Sequence, residues 1–406
     1  MKSLLILAVF ICSGCSVIQQ VKQQVEMIDQ RTSISGKVVN KSGQRGPVLA
    51  ALLKSEDNYV RWIDEYQVSA NGAYKFFTRP GIYTVGAFVD LNNDGEYQAN
   101  EPATYLGENK NLPSMFTLRK RKSKTLQTLT ISKTQDAKRT SLVISDTNKA
   151  MKNVGRVVSL RDKMFSRDNA VLGLFRPLDF AEQVGGGLFL LRKYRQDRIP
   201  VIFVHGINGS PTDWKAPIKA LDLNKFQPFV FYYASGLPLD MVSEFLLQAI
   251  NKLQSRHRFP EFYIAAHSMG GLVTRSFVKK YVASENPARI GLVMTVNSPM
   301  KGLKSAETGV KYFPIVVPAW RDVAYKSKFV RELQAWSWPG DIPYHLVFAY
   351  LPDEAGDGVV ELESQIPRSQ QKEATGLYGF EGGHADLLRD KEFVAEFNEI
   401  LSNSLE

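Results

Sequence analysis

Cysteine is almost absent from this sequence. Its 406 residues include two cysteines, Cys12 and Cys15, and both lie within the first fifteen positions. The chain that follows therefore has no thiol for a disulfide or a cysteine metal site. Core packing alone must hold the fold together, and the length is sufficient for a sizeable core in two or three domains.

A second absence concerns basic clusters with interleaved aromatic side chains. The formal net charge is +10, a sign that favours nucleic acid or an anionic membrane surface as partner. The densest Lys/Arg run, residues 119–124, stands between β-prone stretches and is typical of a solvated loop. We therefore expect no nucleic-acid partner, and the charge is compatible with an anionic membrane.

The N-terminus has the pattern of an export signal. Lys2 supplies a positive charge, residues 4–11 are apolar but too few to cross a bilayer, and small residues precede Cys15. This pattern resembles a bacterial lipoprotein signal. The resemblance implies a signal segment of residues 1–15 and a membrane anchor formed by a lipid on Cys15.

The lipoprotein pattern is incomplete at Cys12, where such signals usually have Leu, Val or Ile. An ordinary secretory signal and an uncleaved anchor are the alternatives. Ser16 stands where lipoproteins held at an inner membrane typically have Asp, so the resemblance implies an outer-membrane location in a bacterial envelope. Residues 16–32 are rich in Gln with spaced apolar positions, which predicts either a helical tether or a flexible spacer.

Residues 33–140 have the pattern of an all-β domain. Short β-prone runs alternate with turn signals such as Asn71-Gly72, which predicts a β-sandwich. The phrases at residues 71–76 and 80–85 resemble the prealbumin-like or carboxypeptidase-regulatory-like sandwich modules of secreted bacterial proteins. That resemblance implies a module without catalytic residues.

One loop of this domain fits the calcium pattern D-x-[DN]-x-[DN]-G-x5-E. Its oxygen-bearing side chains are those of Asp90, Asn92, Asp94, Glu96 and Glu101. Alternating oxygen ligands can wrap a hard cation, so we expect a structural calcium ion here. The flanks are not helical, which excludes an EF-hand, and an Asx-rich turn that binds nothing is the alternative.

The second half of the chain alternates between strand and helix patterns. Residues 141–197 form a linker that either docks the two domains or walls a substrate site. Residues 198–406 contain five strand-like runs, at 199–204, 229–233, 262–266, 290–296 and 343–350. This alternation predicts an α/β fold with a doubly wound parallel sheet.

Ser268 stands at the junction of a β-prone run and a helical run. Ala266 and Gly270 flank it at two residues on either side, and small residues are required where a strand and a helix approach so closely. The pattern is the nucleophile elbow G-x-S-x-G with Ala as its first small residue. The alternative is a serine that by chance precedes two glycines.

A serine nucleophile needs a base and an acid. Among five histidines, His384 is the one in a Gly-flanked loop just before the last helix. In the chain order Ser, Asp/Glu, His, the acid must lie between Ser268 and His384. Asp357, in a turn after the fifth strand, is the best candidate, and Asp353 and Glu354 are alternatives.

The developing oxyanion needs two backbone N–H donors. One should be that of Met269, the residue after the nucleophile. The other should come from the loop after the first strand of the sheet, where we expect Ile207 first and Gly206 second.

These motifs together resemble the α/β-hydrolase superfamily, with its lipase and esterase branch as the nearest fit, from about residue 200 to the C-terminus. The resemblance implies ester hydrolysis through an acyl-enzyme, with no cofactor for catalysis. Residues 299–340 are rich in aromatic side chains and form either a cap over an acyl pocket or an insertion that buries its own core.

The sequence therefore predicts an envelope lipoprotein that cleaves acyl or lipid esters with Ser268, His384 and Asp357. An acyltransferase or phospholipase could use the same three residues. A surface binding protein that acts through the β-sandwich is the alternative from another functional class.

Overall fold

The computed structural model describes residues 14–56, 59–107, 114–132, 142–144, 149–313 and 315–405. Residues 1–13 of the predicted signal segment and the side chain of Cys15 lie outside the described residues. No described helix combines the length and the apolar character needed to cross a membrane.

Among its described residues, the N-terminal half contains one long helix and ten strands. The helix is α1 (Gly14–Asp29), and the strands are β1 (Thr32–Asn40), β2 (Val48–Glu56), β3 (Tyr59–Gln67), β4 (Ala73–Thr78), β5 (Gly81–Val89), β6 (Ala103–Tyr105), β7 (Phe116–Leu118), β8 (Lys124–Thr125), β9 (Leu129–Ile131) and β10 (Leu142–Ile144). Five of the strands contain the β-prone runs of the sequence.

These strands form two sheets. One has the order β4-β1-β8 with β9 also on β1, and the other has the order β10-β3-β2-β5-β6 with β7 on β5. Alternate residues of β1, such as Ile34 and Val38, share a buried core with Leu52 of β2 and Val85 of β5. Each sheet thus turns one apolar face to the other, and the predicted β-sandwich is confirmed.

The second half carries the remaining elements. The strands are β11 (Gly187–Leu190), β12 (Ile199–Val204), β13 (Phe226–Tyr232), β14 (Glu261–His267), β15 (Arg289–Val296), β16 (Tyr344–Tyr350) and β17 (Gly376–Glu381). The helices are α2 (Lys149–Asn153), α3 (Arg167–Phe175), α4 (Pro177–Gln183), α5 (Lys215–Ala220), α6 (Leu239–His257), α7 (Met269–Ala283), α8 (Lys304–Tyr312), α9 (Pro318–Val323), α10 (Lys328–Gln334), α11 (Leu362–Gln365), α12 (Arg368–Glu373) and α13 (Lys391–Asn403).

Strands β11 to β17 form one sheet in the order β11-β13-β12-β14-β15-β16-β17. All neighbours pair in parallel except the edge strand β11, which is antiparallel to β13. Helices α6 and α7 pack on one face of the sheet, while α5 and α13 pack on the other. The predicted doubly wound α/β domain is confirmed.

The sheet differs from the sequence prediction at both edges. It begins with β11, before the expected boundary at residue 198, because the buried run Gly187–Leu190 pairs with β13. It ends with β17, whose side chains alternate between partly buried and exposed as an edge strand's do. This alternation carries a weak apolar signal, which is why the sequence analysis missed β17.

Two N-terminal parts pack against the α/β domain. The sandwich contacts α6 and α7, where the Tyr66 hydroxyl donates a 2.7 Å hydrogen bond to Glu244. Residues 16–32, predicted as a helical tether or a spacer, fall largely in α1. This helix packs on the α8–α10 region, to which the Asp29 carboxylate is joined by the Arg321 guanidinium at 2.8 Å and 3.0 Å.

Candidate active site

The candidate site lies at the carboxyl edge of the parallel sheet. Ser268 follows β14 directly, Asp357 lies in the loop after β16, and His384 lies in the loop after β17. The carboxyl ends of parallel strands meet at one edge, which is where α/β sheets carry their binding sites. The topology therefore gathers three residues that are up to 116 positions apart in the chain.

The backbone at Ser268 is strained. Its φ of 55° and ψ of −130° lie in a region that side-chain-bearing residues rarely adopt. Two glycines make room for the turn. A Cβ on Gly206 would lie 2.8 Å from the Cβ of Ser268, and a Cβ on Gly270 would lie 2.6 Å from the carbonyl oxygen of His205. The turn has the geometry of a nucleophile elbow, with Ala266 buried beneath it.

Hydrogen bonds join the three predicted catalytic residues in one chain. His384 Nε2 lies 2.8 Å from Ser268 Oγ, and His384 Nδ1 lies 2.7 Å from Asp357 Oδ2. With Nδ1 donating to the carboxylate, Nε2 is the free base that can accept the hydroxyl proton. The Ser268 residue is only 5% exposed, so the hydroxyl is almost completely shielded from solvent.

The acid of this chain is fixed by its own loop. Asp357 Oδ1 accepts hydrogen bonds from the backbone N–H groups of Val359 at 2.9 Å and Val360 at 2.7 Å. The backbone N–H of His384 also donates to the carbonyl of Asp357 at 2.9 Å. The Asp357 side chain is fully buried, whereas the alternatives Asp353 and Glu354 are exposed. The geometry thus favours Asp357 over both alternatives.

Two further residues hold His384, and the sequence analysis did not identify them. The carbonyl oxygen of His384 accepts hydrogen bonds from His267 Nε2 and from Asn297 Nδ2, each at 2.9 Å. Asn297 follows β15 directly, with a φ of 50°. The sequence does contain one signal for such residues, namely a polar residue at the end of a buried parallel strand. Residues at that position lie at the same edge of the sheet as the candidate catalytic residues.

Two histidines near the candidate base His384 are uncharged at neutral pH. Burial, with a smaller contribution from the charge of His384, lowers the pKa of His267 to about 3. Burial also lowers the pKa of His205 to about 4. Because the acceptor of His267 is a carbonyl, its Nε2 carries the proton and its ring is uncharged at neutral pH. When His384 takes up a proton, it does so beside neutral rings.

The predicted oxyanion donors are close to Ser268. Met269 is the first residue of α7, and the first N–H groups of a helix have no acceptor within that helix. Ile207 follows Gly206, whose backbone abuts Ser268. The loop is held by the Asn208 N–H, which donates to Ser235 Oγ at 3.0 Å. The roles of Met269, Ile207 and Gly206 stay predictions.

The predicted cap region, residues 299–340, comprises α8, α9 and α10. Its helices extend the buried core of the hydrolase domain through side chains such as Ala319 and Val323. Trp336 and Trp338 flank the buried Arg275, with ring centroids 5.4 Å and 5.5 Å from its guanidinium. These two tryptophans therefore serve packing, whereas Tyr312 at the end of α8 is 69% exposed.

In the loop predicted to bind calcium, two of the proposed carboxylate ligands accept hydrogen bonds from backbone N–H groups of the same loop. Asp90 accepts from the N–H groups of Asp94 and Gly95, and Glu101 accepts from those of Leu91 and Gln98. Among the described residues, no group of three or more His, Cys, Asp or Glu side chains converges as a metal site would require. In this arrangement the residues do not fit a bound ion. Calcium binding by the predicted ligands stays a prediction, which calcium titration monitored by melting temperature tests.

A parallel sheet of this order, with a strained serine at a strand–helix turn and an acid and a histidine after later strands, defines an α/β-hydrolase domain. Residues 238–366 match a family described as "Alpha/beta hydrolase of unknown function (DUF915)". Residues 12–109 match a family described as "Protein of unknown function (DUF1416)". No curated protein matches the chain.

Several solved structures are similar to about half of the chain. A gene product of Listeria innocua, lin2722, is 17% identical over 50% of this chain and 94% of its own, with a TM-score of 0.41. The lipase BlEst2 of Bacillus licheniformis is 15% identical over 50% of this chain and 92% of its own, with a TM-score of 0.42. Est1E from Butyrivibrio proteoclasticus is 17% identical over 54% of this chain and 93% of its own, with a TM-score of 0.39. At these values the similarities carry no argument about function, and the fold assignment rests on the sheet order and the elbow.

Proposed function

We propose that this protein is a serine hydrolase that cleaves carboxylic esters through an acyl-enzyme on Ser268. The observation that carries this proposal is the unbroken chain of hydrogen bonds from Ser268 through His384 to Asp357. A neutral hydroxyl is a weak nucleophile, and an adjacent oriented base is what activates it.

In the proposed acylation step, Ser268 Oγ attacks the ester carbonyl carbon as His384 Nε2 takes up its proton. Asp357 Oδ2 accepts the Nδ1–H and stabilises the imidazolium that forms. The tetrahedral intermediate places its negative oxygen toward the N–H groups of Met269 and Ile207. The C–O bond to the alcohol then breaks, and His384 gives its proton to the leaving alkoxide.

Deacylation repeats these steps with water. His384 Nε2 takes a proton from water, the resulting hydroxide equivalent attacks the acyl carbon, and the proton returns to Ser268 Oγ as the acid departs. The hydrogen bonds from His267 and Asn297 to the carbonyl of His384 fix the imidazole through both steps. An alcohol acceptor in place of water would convert the same acyl-enzyme into an acyltransferase.

We further propose that the substrate is an acyl or lipid ester and that the protein is a lipoprotein of a bacterial outer membrane, anchored at Cys15. The signal pattern at residues 1–15 and the net charge of +10 support the anchoring. Replacing Cys15 by Ser tests it, since the variant should leave the membrane fraction. A variant that stays membrane-bound would contradict the anchor.

The catalytic proposal is tested by labelling the purified protein with a fluorophosphonate and by measuring hydrolysis of p-nitrophenyl esters of increasing chain length. Ser268→Ala should abolish both labelling and turnover. Ser298→Ala is a matched control, because Ser298 is also buried beside the elbow but bonds to the carbonyl of Val296. Turnover that survives Ser268→Ala would contradict the proposal.

A further inference from the structure

Helix α1 carries an apolar face that is buried along most of its length. Ile18, Val21, Val25 and Ile28 recur at the spacing of one helix face. Val21 and Val25 are each 9% exposed, and Ile28 is 4% exposed, whereas Ile18 is 51% exposed. The face thus begins in solvent at its N-terminal end and becomes buried one turn later.

The buried part of this face joins an apolar cluster with the cap, and the predicted oxyanion loop packs against the same cluster. Val21 and Val25 share one apolar cluster with Leu174 of α3 and Val317 at the start of α9. Ile207 packs against the same cluster. Helix α1 and the loop that abuts Ser268 therefore belong to the same apolar cluster.

Polar contacts fix the position of α1. The Asp29 carboxylate pairs with both terminal nitrogens of Arg321, at 2.8 Å and 3.0 Å. The buried side chain of Gln24 accepts the backbone N–H of Leu178 at 2.9 Å. A fork-to-fork pair of this kind sets orientation as well as distance, so α1 is attached to the hydrolase domain along its whole buried length.

Exposed aromatic side chains continue outward from the same cluster. Trp320 packs against it, and the ring of Phe313 lies 6.4 Å from the ring of Trp320. Phe313 is 39% exposed and its neighbour Tyr312 is 69% exposed, with Lys311 Nζ 5.1 Å from the Tyr312 ring centre.

We propose that Ile18, Lys22, Lys311, Tyr312 and Phe313 form a docking face for an anionic lipid bilayer, called here the α1–cap face. The proposal rests on the proposed lipid-ester hydrolase with an anchor at Cys15. Its consequence is that the substrate is an acyl lipid that reaches Ser268 from the bilayer without crossing water.

The position of Cys15 favours a bilayer as the occupant of this face. The backbone helix begins at Gly14, so Cys15 precedes Ile18 by three residues, or about 4.5 Å of helix rise. A lipid attached there would start within one turn of the exposed end of the apolar face. A single lipid chain gives only marginal membrane binding, and stable docking then needs a second signal. Exposed aromatic side chains and lysines supply such a signal.

The first test measures docking by flotation of the full-length protein with vesicles of phosphatidylglycerol and phosphatidylethanolamine. The double variant Tyr312→Ser/Phe313→Ser should require about tenfold more lipid for half-maximal binding. Ile82→Ser is the matched control, because Ile82 is 49% exposed on the sandwich. The control should bind as the unaltered protein does. Equal loss of binding in both variants, or none in either, would overturn the docking face.

The second test asks whether α1 couples docking to turnover. Asp29→Arg and Arg321→Asp each break the pair that fixes the helix, and the combined swap restores opposite charges. Each single variant should hydrolyse p-nitrophenyl palmitate in vesicles about tenfold more slowly relative to soluble p-nitrophenyl butyrate. The double variant should recover most of this ratio. An unchanged ratio in both single variants would overturn the coupling.

Failure of the docking face can be told apart from failure of the catalytic proposal. Flotation reports docking whether or not Ser268 reacts, and fluorophosphonate labelling of Ser268 reports the nucleophile whether or not the protein docks. If the unaltered protein is labelled and cleaves soluble esters, and Tyr312→Ser/Phe313→Ser floats as the unaltered protein does, the α1–cap face alone is overturned. A protein that floats but is neither labelled nor active overturns the catalytic proposal, on which the entry of an acyl lipid rests.

Discussion

The sandwich and helix α1 both pack on the hydrolase domain, but through different chemistry. The sandwich side is polar: Tyr66 donates to Glu244, Lys75 pairs with Asp240 at 3.0 Å, and Asn71 donates to the carbonyl of Ala283 at 2.7 Å. The α1 side is an apolar cluster, closed at one end by the pair of Asp29 with Arg321.

This difference indicates separate roles for the two sides. The polar contacts join the sandwich to α6 and α7, which lie on one face of the sheet and away from the loops that carry Asp357 and His384. The apolar cluster that contains Val21 and Val25 of α1 is also packed against Ile207, which follows the glycine that abuts the nucleophile. Substitutions on the sandwich side should therefore change stability, and those at the carboxyl edge should change turnover.

The largest effect should follow Asp357→Asn at the carboxyl edge. The amide can still accept from Val359 and Val360, but it no longer stabilises a protonated His384 or holds the required tautomer. Turnover should fall by about 10⁴, with little change in melting temperature. Kinetics with p-nitrophenyl butyrate and a thermal melt measure both. Asp353→Asn, at an exposed residue of the same loop, is the control. Loss of activity in the control alone would make Asp353 the acid.

A smaller effect on turnover should follow Asn297→Ala. The carbonyl of His384 would lose one of two side-chain donors, and the imidazole would occupy its reactive position less often. We expect kcat to fall about tenfold with KM unchanged, because a misplaced group of this kind costs on the order of one to two powers of ten. Asn286→Ala is the control, because Asn286 lies in the loop after α7 and its side chain bonds to Ser284 rather than to His384. An equal fall in KM would contradict a positioning role.

On the face of α6 and α7 that carries the sandwich, Lys280 of α7 pairs with Asp240 and Glu244 of α6, and Lys280→Met should lower stability and leave turnover unchanged. The variant leaves Glu244, whose side chain is 9% exposed, and Asp240, whose side chain is 43% exposed, without a shared partner. Solvent screens the more exposed carboxylate, so we expect a loss of about 2 kcal/mol in the free energy of unfolding. Urea denaturation measures it. Lys279→Met, at the exposed neighbouring position, should be neutral.

The loss of stability caused by Lys280→Met should depend on pH. Burial alone would raise the pKa of Asp240, but Lys280 and Lys75 outweigh it and lower the pKa to about 2. An acid whose pKa is lowered in the folded protein stabilises the fold while it is ionised. This contribution of Asp240 is present above about pH 4 and is lost as the pH falls toward 2. The destabilisation by Lys280→Met should therefore shrink across this window. A loss that grows as the pH falls would contradict the ion pair as its cause.

The sequence predicted the sheet and the chain order of the candidate site because both rest on strong local signals. Strands β12 to β16 are buried apolar runs, and Ser268 sits among the small residues that a tight turn requires. Those signals are local and need no knowledge of neighbours. The acid was narrowed to Asp357 with two alternatives, and burial in the folded loop distinguishes them.

What the sequence could not predict depends on contacts between distant segments. The docking of α1 requires the positions of Val317 and Arg321, about 290 residues further along the chain. The bonds from His267 and Asn297 go to the backbone of His384, which has no signature of its own in the sequence. Trp336 and Trp338 seemed suited to an acyl pocket, but a buried Arg275 lies between them.

The smallest effect should follow Asp322→Asn, which probes the attachment of the cap. Burial raises the pKa of Asp322 to about 6, although its carboxylate accepts the N–H of Leu239 at 2.8 Å. A raised acid pKa means that ionisation costs stability as the pH rises from about 4 to about 6. The amide avoids this cost and can still accept the hydrogen bond. The variant should match the unaltered protein below pH 4 and exceed it by about 1 kcal/mol above pH 7, since Asp322 is only partly buried. Urea denaturation at both pH values measures the difference, and a variant that is less stable at pH 8 would show that the charged form stabilises the cap.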